Sequence, residues 1–66
     1  MILFDGVHLV SDTSLDELHE FAQSINLHRT WFQKDARIPH YDVFGWREEL
    51  LSVNCTTKEL VRRAVR

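Results

Sequence analysis

Hydrophobic and polar positions change period several times along the chain, and each change marks an element. Ile2-Leu3-Phe4 is an apolar run, Asp5-Gly6 is a turn signal, and Val7-His8-Leu9-Val10 is again β-like. This predicts two short strands, or one strand bulged at Gly6. Asp12-Thr13-Ser14 then opens a helix, with Ser14 as N-cap and Glu17 completing a capping box. Leu15, Leu18, Phe21, Ala22 and Ile25 fall on one stripe at the 3.6 period, which fixes its buried face. Asn26 is placed to end the helix in a left-handed conformation, and Thr30-Trp31-Phe32-Gln33 reads as the next strand.

Pro39 forbids a helix through the following segment and pushes Ile38 into an extended conformation. Tyr41-Asp42-Val43 continues extended, so His40 and Asp42 share one face while Tyr41 points to the other. A helix from about Gly45 to Ser52 burying Trp46 and Leu50 is expected next. Asn54 is a candidate left-handed C-cap, and Val53 with Cys55 a candidate short strand. Thr56 and Glu59 make a second capping box, and the final helix would bury Leu60, Val61, Ala64 and Val65 while exposing its arginines.

Strand, helix, strand at this spacing is a βαβ unit, with strands 7–10 and 30–33 parallel and joined by a right-handed crossover. The expected fold is therefore α/β: a small mixed sheet with a βαβ core and three helices, with α+β as the alternative. In βαβ units ligands bind after the C-terminal strand ends, here Ser11-Asp12-Thr13 and Lys34 to Pro39.

Composition narrows the function. Sixty-six residues make a single small domain, 1–66, that buries only about 60% of its unfolded surface, so a homodimer is expected. The 44% hydrophobic and 27% charged content is that of an ordinary soluble domain. With no apolar run near the ~20 residues of a membrane span, and no basic start or long apolar core as in a signal peptide, the expected compartment is the cytoplasm. The single cysteine, Cys55, excludes an internal disulfide framework and a cysteine-based zinc site. Residues 1–28 carry acids but no Lys or Arg, whereas Lys58, Arg62, Arg63 and Arg66 make the last helix basic. That is too little basic surface for a nucleic-acid partner.

The residues His8-Leu9-Val10-Ser11-Asp12-Thr13, Glu17-Leu18-His19, Arg29-Thr30-Trp31-Phe32-Gln33, His40-Tyr41-Asp42 and the closing Thr-x-x-Glu-Leu-Val-Arg-Arg together resemble the small bacterial and phage family called domain of unknown function 4031. The likeness spans essentially the whole chain and implies no activity. Two departures are visible: the loop between the first strand and His8 is cut to Asp5-Gly6-Val7, where the family has a longer one, and Asn54 replaces a glycine.

The chemistry-bearing side chains concentrate between Arg29 and Asp42. Trp31 or Tyr41 would stack on a planar ring, Arg29, Lys34 or Arg37 would meet phosphate, and Gln33, His40 and Asp42 would read polar edges. Asp12 and His19 complete the candidate site. The leading expectation is thus binding of a small anionic ligand, nucleotide-like or phosphorylated, with sequestration of a host nucleotide as a use if the protein comes from a phage. Two other classes stay open. His8, Asp12, His19, His40 and Asp42 would suit a divalent metal and metal-dependent hydrolysis, although their spacing matches no established motif. Alternatively, the aromatics are core, histidines such as His8 are structural, and the domain is a protein–protein interaction module. Cys55 and Ser11 lack a base at a fixed offset, which argues against a nucleophile mechanism. No cofactor is specified by the sequence.

Overall fold

The alternating residues at the start of the chain form an antiparallel hairpin in the computed structural model, which describes residues 1–43, 50 and 53–66. Strand β1 (Ile2–Phe4) pairs with β2 (His8–Ser11), setting Leu3 opposite Val10 and Phe4 opposite Leu9. Gly6 lies in the turn with φ +106°, a conformation that L side chains rarely adopt. Because strand side chains alternate, Phe4 and Leu9 face one side of the sheet and Leu3 and Val10 the other.

Helix α1 (Leu15–Ser24) covers the first face, burying Leu18 and Ala22 with Ile25, Leu27, Phe4, Leu9 and Tyr41. Ser14 caps it as expected, accepting the Glu17 amide. The Glu17 carboxylate leaves the reciprocal half of the box and accepts the Ser11 hydroxyl at 2.6 Å. At the other end Asn26 takes φ 62°, and its amide bonds Gln23 O while that of Leu27 bonds Ala22 O, a Schellman closure.

A 3-10 turn (Arg29–Trp31) leads into β3 (Phe32–Gln33), and the chain returns through β4 (His40–Asp42). Helix α2 (Thr57–Arg63) packs Leu60 and Ala64 on Leu3 and Val10, covering part of the second face. The sheet order is β1-β2-β4-β3, with every neighbouring pair antiparallel.

This corrects the expected mixed sheet. Strands β2 and β3 do run the same way, but β4 lies between them, so they do not pair with each other and the βαβ unit is split. The loop at 34–39 folds β4 back on β3, and Tyr41, 1% exposed, is buried between Leu9 and Phe32. Tyr41 thus makes β4 the central strand, while β3 offers only the partly buried Phe32 and the exposed Gln33 and takes the edge. The observed class is a mixture of helix and strand built on an antiparallel sheet, closer to the α+β alternative.

The expected three helices do not match either. Two α-helices are present among the described residues, and the helix expected over Gly45 to Ser52 falls, apart from Leu50, outside them. Thr30 and Trp31 belong to the 3-10 turn, closed by Trp31 N–H to His28 O at 3.0 Å, rather than to a strand. Val61 is exposed rather than buried. Val53 and Cys55 form no strand, and Asn54 is not left-handed. Its side chain instead accepts the Phe4 amide at 2.9 Å and donates to Ile2 O at 2.8 Å, occupying the free edge of β1 as a neighbouring strand would. Among the described residues no helix is long and apolar enough to cross a membrane.

Candidate metal centre

Among the described residues α2 covers only part of the second face of the sheet, and the remainder carries partly buried polar side chains. His8 pairs with Asp42 across β2 and β4, and His40 lies two residues before Asp42 on the same side. Val43 N–H donates to Val7 O at 2.9 Å, which makes His8–Asp42 a close, non-hydrogen-bonded pair. One ligand atom from each of His8, His40 and Asp42 lies within 4.8 Å of the other two.

The two imidazoles are fixed from behind. His40 Nδ1 is 2.7 Å from Ile38 O; a backbone carbonyl can only accept, so Nδ1 carries the proton. Its Nε2 then presents a lone pair 3.2 Å from Asp42 Oδ1. Two acceptors facing each other repel, so a second proton or a cation belongs between them. His8 Nδ1 is 3.0 Å from Asp5 Oδ2. The Asp5 carboxylate, 2% exposed, also accepts the amides of Val7 at 3.0 Å and His8 at 2.7 Å and the Thr57 hydroxyl at 2.6 Å. Burial alone would push its pKa up, but these hydrogen bonds together outweigh burial and hold the group well below the usual carboxylate range. Asp5 is therefore an acceptor, His8 Nδ1 donates to it, and His8 Nε2 is left for the site. Ligating histidines held by a carboxylate or a backbone carbonyl through the other nitrogen are a recurrent arrangement around metals.

Two imidazole nitrogens and a carboxylate suit zinc, iron, cobalt or nickel better than magnesium or calcium, which prefer all-oxygen shells. Bonds of about 2.1 Å at a tetrahedral angle set ligand atoms about 3.4 Å apart. The 3.2 Å between His40 and Asp42 already meets this spacing. Three protein ligands leave at least one position open.

A groove of about 270 Å³ adjoins the cluster. Val10, Ile38, Leu60 and Val61 give it an apolar lining between sheet and α2, and His8, His40, Arg37 and Thr57 also line it.

The sequence-predicted site residues are divided between the two faces. His40, Asp42 and Arg37 belong to the second face, with Gln33 paired to His40 and exposed. Tyr41 points to the first face, where its hydroxyl is hydrogen-bonded to His19 Nδ1 at 2.8 Å. The His19 ring also meets Phe32 edge-on at 4.5 Å. Burial, and then the Arg29 charge, lowers the His19 pKa, while burial raises that of Tyr41. His19, Tyr41 and Arg29 line an open recess that Asn26 and His28 complete. Trp31 packs against His28, with ring centroids 5.2 Å apart. Lys34 lines another recess with Arg29 and Gln33.

Asp12 joins neither group. It bonds the Met1 ammonium at 2.8 Å and Arg63 at 2.9 Å. The ammonium first, then Thr13 and Arg63, lower its pKa to about 2. Of the five residues grouped as metal candidates, the fold thus unites His8, His40 and Asp42 and leaves Asp12 and His19 elsewhere. Asp5, a turn residue by its sequence, joins the site as the support of His8, and its place three residues before that histidine is the signal for it.

The model of a family described as protein of unknown function (DUF4031) matches residues 5–66. The chain belongs to this family. The match takes in Asp5, His8, His40 and Asp42, as well as α2 and the loop that line the groove. No curated protein and no solved structure matches the chain.

Proposed function

We propose that this protein binds one divalent transition-metal ion through His8 Nε2, His40 Nε2 and the Asp42 carboxylate, and uses the open coordination to hold a small anionic ligand. The observation that carries this reading is the His40 ring: Nδ1 is committed to Ile38 O, and Nε2 faces a carboxylate oxygen, where a cation resolves the clash of acceptors. The support given to His8 by Asp5 points the same way. The anionic ligand expected from the sequence enters this reading through the metal charge and Arg37. Where the ligand carries a scissile ester, amide or phosphoester, a three-ligand centre of this kind supplies Lewis-acid polarisation and an activated water, and the reaction class is metal-dependent hydrolysis.

Titration of chelator-treated protein with Co²⁺, followed by visible absorption and calorimetry, tests the reading. One equivalent should bind, with the d–d bands of a nitrogen and oxygen site, and His40→Ala and Asp42→Ala should each weaken binding about 100-fold or more. Folded wild-type protein that takes up no Co²⁺ or Zn²⁺, or variants that bind as well as wild type, would overturn it. Hydrolysis is then assayed on ester and phosphoester panels with the loaded protein.

A further inference from the structure

The groove beside the three ligands restricts what the ion would hold. We propose that its ligand is a small amphiphilic acid: an apolar body, aromatic or branched, seated on Val10, Ile38, Leu60 and Val61, with one carboxylate that reaches the ion and Arg37. This rests on the metal reading above and names the ligand class for the same site.

Size gives the first argument. A closed cavity of about 150 Å³ accommodates benzene. The groove, at about 270 Å³, has room for one ring and a short acidic arm. It falls just below the range of about 300–1,000 Å³ typical of sites for drug-sized ligands. A whole nucleotide would therefore leave much of its surface outside.

Chemistry gives the second. The stretch between the histidines and α2 is aliphatic, and Val61 is 41% exposed there although its helix is otherwise polar on its outer side. Arg37 is the one Lys or Arg among the lining residues; it is exposed and forms no ion pair among the described residues, and the ion that His8 and His40 would hold adds the remaining positive charge. An apolar body with a single anionic head matches that distribution. Inorganic phosphate and acetate match only its charged part.

The test uses the full chain loaded with Co²⁺, so that the metal spectrum reports ligand entry. Titrations with 3-phenylpropionate, acetate and inorganic phosphate should show the aromatic acid binding at least tenfold more tightly than acetate. Val61→Asn, at an exposed position, removes apolar contact without adding charge and should bring the two carboxylates to within about twofold. Arg37→Gln should weaken both carboxylates by a similar factor and retain the preference. Equal binding of acetate and 3-phenylpropionate to the cobalt-loaded wild type would overturn this proposal and leave the metal reading standing. Failure to bind Co²⁺ at all would overturn both, and the spectrum separates the two results.

Discussion

Asp5→Asn is the substitution that most directly probes how the candidate centre is assembled. The wild-type carboxylate receives four hydrogen bonds, two at Oδ1 from the Val7 and His8 amides and two at Oδ2 from His8 Nδ1 and the Thr57 hydroxyl. Asparagine keeps Oδ1 for both amides, so the turn is retained. Its NH2 group, however, replaces Oδ2 and can only donate. The Thr57 hydroxyl rotates to accept, but His8 Nδ1 can accept only if the ring proton moves to Nε2, the nitrogen that the proposed site would use as ligand. The variant thus alters the proposed metal ligand without touching it. Loss of charge assistance from all four bonds costs about 2–4 kcal/mol of stability. Metal affinity should fall about 10- to 100-fold, the usual effect of removing such a supporting partner. Asp5→Ala is less informative, because stranding buried donors at about 1–3 kcal/mol each takes a large share of the roughly 3–10 kcal/mol available to a domain of this size. The assay combines cobalt titration with long-range proton–nitrogen NMR of the His8 ring, which distinguishes the tautomers. An Asp5→Asn protein that is folded, binds cobalt like wild type and keeps the Nδ1–H tautomer would refute the reasoning.

Other elements make separate predictions. Leu18, fully buried at the centre of α1, should cost about 2–5 kcal/mol when changed to Ala, read as a lower urea midpoint with the same slope. Tyr41→Phe removes only the hydroxyl that bonds His19, so it should cost about 1 kcal/mol by the same measurement and leave cobalt binding on the opposite face unchanged. Asp12 has its pKa lowered to about 2 by hydrogen bonds from the Met1 ammonium, Thr13 and Arg63. Its contribution to stability is present above its unfolded value near 4 and is lost as pH falls from there towards 2, so Asp12→Asn should flatten the stability–pH curve in that window. A curve that keeps its wild-type slope between pH 4 and 2 would contradict that assignment.

Much of the architecture was legible because it is local. The stripe on α1, the Ser14 and Thr56 caps and the left-handed Asn26 each depend on residues within a few positions of one another, and all are present. The opposite facing of His40 and Tyr41 was also legible, since strand alternation follows from backbone geometry. Strand order was not. It depends on which strand offers the best buried residue to Leu9, and Tyr41 competes for that place with the Trp31-Phe32 segment across some ten positions. The same non-local choice decided the site: with β4 rather than β3 beside β2, His8 faces Asp42, and His19 remains with Tyr41 behind the sheet. Asn54 has the local signature of a helix cap because its amide favours left-handed turns; its bonds to β1, 50 and 52 residues away, are not legible locally.

The position of the cluster carries an energetic argument as well. His8, His40 and Asp42 face the same side as Leu3 and Val10, which with Leu60 and Ala64 are the buried members of the core under α2. Aliphatic residues at those three positions could extend that core, and each buried side chain of that kind contributes about 1.5–3 kcal/mol. In a chain of 66 residues this is a large fraction of total stability. A bound ion offsets the loss, because binding to the native state adds RT ln(1 + [M]/Kd), about 2.7 kcal/mol at a free metal concentration 100 times Kd. Asp5 joins His8 to Thr57 at the start of α2, so the ion would also strengthen the attachment of that helix. Addition of Zn²⁺ to chelated protein should therefore raise Tm and slow amide exchange in α2 together. A rise in Tm with unchanged exchange in α2 would show that the ion stabilises the sheet alone, and the proposed link through Asp5 would fail.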